Sequence, residues 1–568
     1  MEKIILNPKK IVAKYADEET KQIMLKTIDF FEGRGLKKMK DDFHACKWYT
    51  EFLDFMKENQ IMAKLFTPRG YGDANSRWDS SRIVDFAEIL GFYGLTYWYT
   101  FQVSALGLGP IYLGANEEAK HKAAKLLQEG AIFAFGLSEK EHGADIYSSD
   151  MMLYPQADGT FLANGDKYYI GNGNEAAMVS TFGKIADTGE YVFFHVNSKH
   201  ERYECVKNII NNQDYVAEYA LHDYPVTSAE ILQRGDKAWD DMLNTINICK
   251  FNLGWASIGI CEHAFYEAID HASNRKLFGS YVTDFTHIRQ LFMDAYSRLV
   301  AMKLFALRAT DYMRSASPQD KRYLLYTPLV KMKVTTQGEE VINLLWDVIA
   351  AKGFEKDTYF ENAATDIRAL PKLEGTVHVN MALIIKFMPN YFFNPAQYPE
   401  IPQRREAAND DFLFDQGPTK GLGKLQFHDY NIAYKSVDLP NVKVFREQIE
   451  VFKEFIMSSL ESMKEQGKDI DFLLNVGELF TLVAYGQLIL ENKKIYGVDD
   501  EIIEQIFDFM VRDFSKFALL IYGKPNATEK QQEICLRMIK RPVVNAERYN
   551  RVLEKYVYAL KGTYTMNP

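Results

Sequence analysis

The stretch PKLEGTVHVN, Pro371 to Asn380, sets one carboxylate, Glu374, directly before a glycine and among Leu373, Val377 and Val379. An acid in apolar surroundings can serve as a general base, because burial disfavours its charged form and raises its pKa toward working pH. The same acid at the start of a helix needs no chemistry to explain it, since the macrodipole stabilises it. The stretch alone leaves both readings open. GNGNEA (171–176) has the G-x-G-x-x-A pattern of a dinucleotide loop, but AMVSTFG follows it, a strand pattern where that motif needs a helix. Two E-x-x-H pairs, Glu118/His121 and Glu139/His142, have the spacing of di-iron bundles. Glu118 lies in the solvated pattern EEAKHKAAK and Glu139 in a glycine-containing loop, so no metal site is expected. H-E-x-x-H, the phosphate-binding loop and the G-x-S-x-G elbow do not occur.

These residues must be positioned by a chain of 568 residues, longer than one hydrophobic core supports, so several packed domains are expected. Residues 1–130 show helix-period spacing, as at Ile23, Leu25, Ile28 and Phe31. The character changes over 131–240. TFLANGDKYYIGN alternates around Asn164-Gly165, a dipeptide that suits a type I′ hairpin, and EYVFFHVN (190–197) is a second strand pattern. Over 241–395 helices return, with Ile288, Leu291, Ala295, Leu299, Met302 and Ala306 forming one stripe. The proline-rich segment 389–411 reads as a linker, and 396–568 as linker plus helical extension, with Phe445, Ile449, Phe452, Phe455 and Ile456 at helical spacing.

Composition narrows the class. Hydrophobic residues at 47% and charged residues at 25% are globular values, and a net charge of −10 has the wrong sign for neutralising nucleic-acid phosphates. Five cysteines without a C-x-x-C pair suit a reducing compartment. The N-terminal MEKIILNPKKIVAKYADEET lacks an apolar signal core, and 473–492 is interrupted by Asn475, Glu478 and Gln487. A cytoplasmic location without membrane association is the expectation.

Five segments then stand in order: FAFGLSEKEHGAD (133–145), NGDKYYIGNGNEA, NRKLFG (274–279), AAKGFEKD (350–357) and LEGT. This order resembles the acyl-CoA dehydrogenase family over about residues 10–390, with Gly136 to Asp145 similar to its first signature. The resemblance implies an α+β, mainly α fold: an N-terminal helical domain, a central β-barrel-like domain and a C-terminal four-helix domain, here with a helical C-terminal extension. It implies FAD between the β domain and the C-terminal helices. Leu137 and the backbone and hydroxyl of Ser138 would face the flavin, with Tyr169 on its ring and Gly171 nearby. Arg275 and Phe278 would reach the FAD of a dimer partner, and Asp347, Ala351, Thr376 and His378 would line the cofactor. Ala144, Lys250 and Gly375 would meet substrate. Glu374 would be the α-proton base of an acyl-CoA dehydrogenation that yields a trans-2-enoyl-CoA, with electrons passed to an electron-transfer flavoprotein. A homodimer or dimer of dimers is implied, the extension adding packing.

Several positions depart from the family pattern. Gly171 stands where a Thr or Ser is usual, Ala144 replaces a Ser or Thr, and Asp347, Ala350 and Ala351 replace Gln-x-x-Gly-Gly. Position 286 is Thr where Gln is common, and position 365 is Thr where Arg is common. An acyl-CoA oxidase using O2, or an eroded member that binds without reacting, are the alternatives.

Overall fold

The computed structural model describes residues 4–11, 15–459 and 463–568. The described chain forms two compact units. The first in sequence is built from residues 15–252 with Arg405–Lys420 and Met566–Pro568, the second from Leu253–Arg404 and Gly421–Thr565 with the N-terminal arm.

In the first unit, helix Glu18–Arg34 starts at Asp17, whose side chain accepts the Thr20 N–H at 2.7 Å, and Asp79 caps Ser80–Tyr93 in the same way. Such caps satisfy N–H groups that the helix itself cannot pair. Helix Leu95–Leu113 is apolar all round and correspondingly buried, packing against the sheet and against helix Asp236–Cys249. The sheet comprises β1 (Phe133–Gly136), β2 (Met152–Pro155), β3 (Phe161–Gly171), β4 (Met178–Ile185), β5 (Tyr191–Val196), β6 (Tyr203–Asn208), β7 (Val216–Val226) and β8 (Ile231–Arg234). Its order is β6-β7-β3-β2-β4-β5-β8, with β1 parallel to β4. Met151, Leu153, Val179, Phe194, Tyr219 and Val226 belong to one continuous core on this sheet.

Two expectations are corrected here. The sheet is open, with β6 and β8 at its ends, and is not a barrel. Asn164-Gly165 is not a hairpin turn but lies inside β3, at a shift in the register with β7. Asn164 exchanges two hydrogen bonds of 2.9 Å with Asp223, and it is β7, not the dipeptide, that bulges here, with His222 and Asp223 opposite Asn164. AMVSTFG does form a strand, β4, and EYVFFHVN forms β5.

In the second unit, the predicted stripe lies on helix Thr286–Arg314, buried along most of its length, including Arg298 and Arg308. That burial follows from having neighbours on several sides: Thr335–Ile349, and from the extension Ile470–Tyr496 and Asp500–Tyr522. The buried cations are paired across these contacts. Arg298 forms a bidentate pair with Asp513 (2.7 and 2.9 Å), and Arg308 reaches Glu491 at 2.8 Å. His428 and Tyr312 also bond Glu491, so the extension is fastened to the bundle by charge as well as by apolar packing. Helix Ile470–Tyr496 is long and apolar enough to cross a membrane, but 83% of its apolar window is buried within the fold, where it serves as a core helix. Within the segment read as a linker, Met388–Phe393 is a short helix; the chain then runs irregularly, its Ile401 carbonyl accepting from Arg308.

Candidate functional site

The predicted site residues fall on both units, and each group has its own supports. In the first unit β1 ends at Gly136, where a Cβ would lie 2.3 Å from the Tyr219 hydroxyl, so only glycine fits. The chain then turns through Leu137, Ser138 and Glu139. Beneath this loop Lys167 is fully buried, donating to the Leu137 carbonyl at 2.9 Å and to Glu139 at 2.6 Å. Glu139 also accepts from Ser149 and from the Asp150 and Met151 N–H groups. Burial works to raise its carboxyl, but Lys167 and these donors outweigh it and hold it below its ordinary value. Burial draws the Lys167 ammonium down to about 8, against the pull of Glu139. The pair therefore stays ionised at neutral pH. Glu139, His142 and Asp150 come within 4.8 Å of one another, but Glu139 is already saturated by Lys167, Ser149 and the backbone.

Ser138 is latched to β3: its hydroxyl donates to the Tyr168 carbonyl at 2.7 Å and its own carbonyl accepts the Tyr168 N–H at 2.9 Å. One residue on, β3 shifts register and Tyr169 adopts φ 66°, which turns its ring outward at 64% exposure. A bulge at this point re-aims one side chain while the strand continues. Asn172, also left-handed, is locked by bonds to Thr100 and to the Phe133 carbonyl. Gly171 has a packing reason: a Cβ there would lie 2.8 Å from both Tyr99 and Val103. A Thr or Ser there would require Tyr99 and Val103 of the Leu95–Leu113 helix to shift. Ala144 is exposed in the following loop, and Lys250 is buried at the end of helix Asp236–Cys249.

In the second unit, Glu374 is half-buried with φ 50°, and Gly375 follows with φ 86°. The next helix, Val377–Ile385, begins after both, capped by Thr376, whose side chain accepts from the Val379 N–H at 3.4 Å. Glu374 therefore lies outside the first turn, in a tight left-handed turn, where the macrodipole account of a first-turn acid does not apply. Thr376 and His378 are exposed beside it. Arg275 leads into the two-stranded hairpin Lys276–Leu277/Ser280–Tyr281, whose tip carries Phe278 at φ 51° and 99% exposure. Asp347 and Ala351 are exposed, and Ala350 is held at φ 55°, ψ −135°.

Left-handed backbone is costly for residues other than glycine and gathers at functional positions. Among the described residues, the non-glycine positions with positive φ are Cys46, Gln60, Tyr169, Asn172, Asp223, Phe278, Ala350 and Glu374. Tyr169, Phe278 and Glu374 are predicted site residues, and Ala350 adjoins a fourth. Sequence reading missed the buried supports Lys167 and Asn172. Lys167 falls on the inward positions of an alternating strand, where a lysine is a signal of a buried pair.

For a flavin, the first unit offers an outward aromatic ring, Tyr169, next to a loop fixed from behind; the Ser138 hydroxyl, expected to face the cofactor, is spent inward on the Tyr168 carbonyl. The exposed Tyr169 ring fits the face of a planar cofactor. The exposed aromatic at the tip of the Lys276–Tyr281 hairpin likewise fits a surface that something else covers.

The family description "Acyl-CoA dehydrogenase, C-terminal domain" matches residues 236–388. The chain is 23% identical to the caffeyl-CoA reductase–Etf complex subunit CarC of Acetobacterium woodii, over 62% of this chain and 97% of that protein. It is also 23% identical to the 3-(aryl)acrylate reductase of Clostridium sporogenes, over 64% of this chain and 97% of the relative. The acyl-CoA dehydrogenase of Bacillus anthracis, solved with FAD, is 17% identical and shares the fold with a TM-score of 0.72, covering 98% of this chain and 97% of its own. That match takes in the C-terminal extension as well. The chain thus carries a match to the acyl-CoA dehydrogenase C-terminal domain over residues 236–388 and shares the fold of a solved acyl-CoA dehydrogenase.

Proposed function

We propose that the protein is an FAD-dependent oxidoreductase that acts across the α,β carbon–carbon bond of an acyl-CoA thioester, with Glu374 as the proton-transferring base. The observation that carries this reading is the left-handed, half-buried Glu374 in front of the capped helix Val377–Ile385. A thioester α-proton is weakly acidic, so a carboxylate must accept it while charge on the carbonyl oxygen is stabilised. Glu374 takes that proton, and its own backbone N–H hydrogen-bonds the thioester oxygen. Leu137, Ser138 and Tyr169 hold and orient the cofactor, and Thr376 and His378 flank the turn. When bound, FAD supplies the hydride acceptor, so the α carbon loses a proton, the β carbon a hydride, and a trans-2-enoyl-CoA remains. Electrons then pass to an electron-transfer flavoprotein. We propose a homodimer in which Phe278 and Arg275 contact the partner subunit's cofactor.

A second direction of the same chemistry is favoured by the relatives named as reductases: the β carbon of an enoyl thioester accepts a hydride from reduced FAD, and Glu374 returns the proton to the α carbon. Both directions are tested with the purified yellow protein under anaerobic conditions. Butyryl-, octanoyl- or palmitoyl-CoA should bleach the oxidised flavin, and crotonyl- or cinnamoyl-CoA should re-oxidise the dithionite-reduced form. A colourless protein that cannot take up FAD would overturn the proposal in favour of a binding role. Hydrogen peroxide formed in air without a carrier would replace the flavoprotein acceptor with O2.

A further inference from the structure

The turn that carries Glu374 is held from beneath by a lysine. Lys331 is fully buried, and its ammonium donates to the Pro371 carbonyl at 2.7 Å and to the Gly375 carbonyl. One cation therefore ties both ends of the five-residue segment in whose middle Leu373 and Glu374 lie. Asn380, 1% exposed, closes on the same place from the following helix, its side-chain amide donating to the Gly375 and Thr376 carbonyls, each at 3.0 Å. Lys331 belongs to a π-helical turn, Val330–Val334, inserted between helices Tyr323–Leu329 and Thr335–Ile349. Such single wide turns rotate a side chain away from the regular helical face and recur at functional sites.

We infer that Lys331 is a positioning residue which, together with Asn380, fixes the Glu374–Gly375 turn so that the carboxylate is presented for proton transfer. The inference rests on the reading of Glu374 as the base. Two consecutive residues with positive φ do not hold that shape unaided, since the left-handed region is unfavourable for a residue other than glycine. If Glu374 relaxed to an ordinary φ, its side chain would leave in another direction. A shift of about 1 Å in a reacting group is enough to cost roughly 100-fold in rate. Hydrogen bonds from a charged donor are the stronger kind and suit this task.

The test uses the full chain with its bound flavin and two independent variants. Lys331→Met keeps the aliphatic stem and removes the donors; Asn380→Ala removes the second clasp. Amide hydrogen exchange of the 371–380 segment, flavin stoichiometry, thermal midpoint and flavin bleaching by octanoyl-CoA are read together. Exchange across 372–380 should quicken by about 10-fold or more, and bleaching should slow by roughly 30–100-fold, with half-saturation shifted less than about 3-fold and flavin retained. Lys331→Gln, which keeps a neutral donor, should fall between wild type and Lys331→Met. Unchanged exchange would overturn the clamp. Faster exchange with wild-type bleaching, or a parallel loss of flavin and midpoint in both variants, would reduce Lys331 to an ordinary structural residue. If the wild type itself is not bleached or re-oxidised by any of the acyl- or enoyl-CoAs, the reading of Glu374 fails, and the positioning role fails with it.

Discussion

The Leu137–Glu139 loop and the Glu374–Gly375 turn solve one problem in two ways. Each is an irregular segment that must hold a fixed shape, and each lies over a fully buried lysine, Lys167 donating to one of its carbonyls and Lys331 to two. Under the loop, Lys167 is also ion-paired to Glu139, and the surrounding strands supply further donors. Under the turn, Lys331 spans two carbonyls from an irregular helical turn, and an amide helps it. The loop is thus an integral part of the core of its unit, whereas the turn is a local clasp. Damage to the first should appear as lost stability, damage to the second as lost chemistry.

The largest stability effect is expected at Lys167. Lys167→Met leaves the Glu139 carboxylate buried without its cation and should destabilise the first unit by about 3–5 kcal/mol in urea unfolding. A loss no greater than that of an exposed lysine would erase the contrast between loop and turn.

Next comes the helical unit's own buried carboxylate, Glu491. Burial alone would raise it, but His428 and Arg308 hold it down to about 2. Since the folded value lies below the ordinary one, its contribution is fully present above about pH 4.5 and is lost as pH falls toward 2. That contribution is of order 3 kcal/mol. Glu491→Gln should lower stability at pH 7 and flatten its fall below pH 4.5. An unchanged acid slope would show that the cluster does not fasten the extension.

The smallest effect has the opposite sign. Ala350 occupies φ 55°, ψ −135°, a region that favours glycine, so Ala350→Gly should raise the thermal midpoint by the equivalent of about 1 kcal/mol. A lowered midpoint would mean that the Ala350 methyl packs usefully.

Much of this was legible in the residues. The Ile288–Ala306 stripe gave its helix, EYVFFHVN gave β5, and five short motifs in order pointed to one family. What escaped depends on distant partners. Asn164-Gly165 looks like a hairpin until Asp223, which lies 59 residues on, engages it. Whether a sheet closes depends on its end strands β6 and β8, and nothing local in either encodes that. Gly171 departs from the family pattern, and what packs against it, Tyr99 and Val103, comes from the Leu95–Leu113 helix, far earlier in the chain. The role of Lys331 depends on carbonyls 40 and 44 residues away, which no spacing rule connects.

The central claim is that Glu374 moves the α-proton. Purified Glu374→Gln, mixed anaerobically with octanoyl-CoA, should keep its yellow flavin and its fold while bleaching slows by about 100- to 10,000-fold. Bleaching at the wild-type rate would contradict the account.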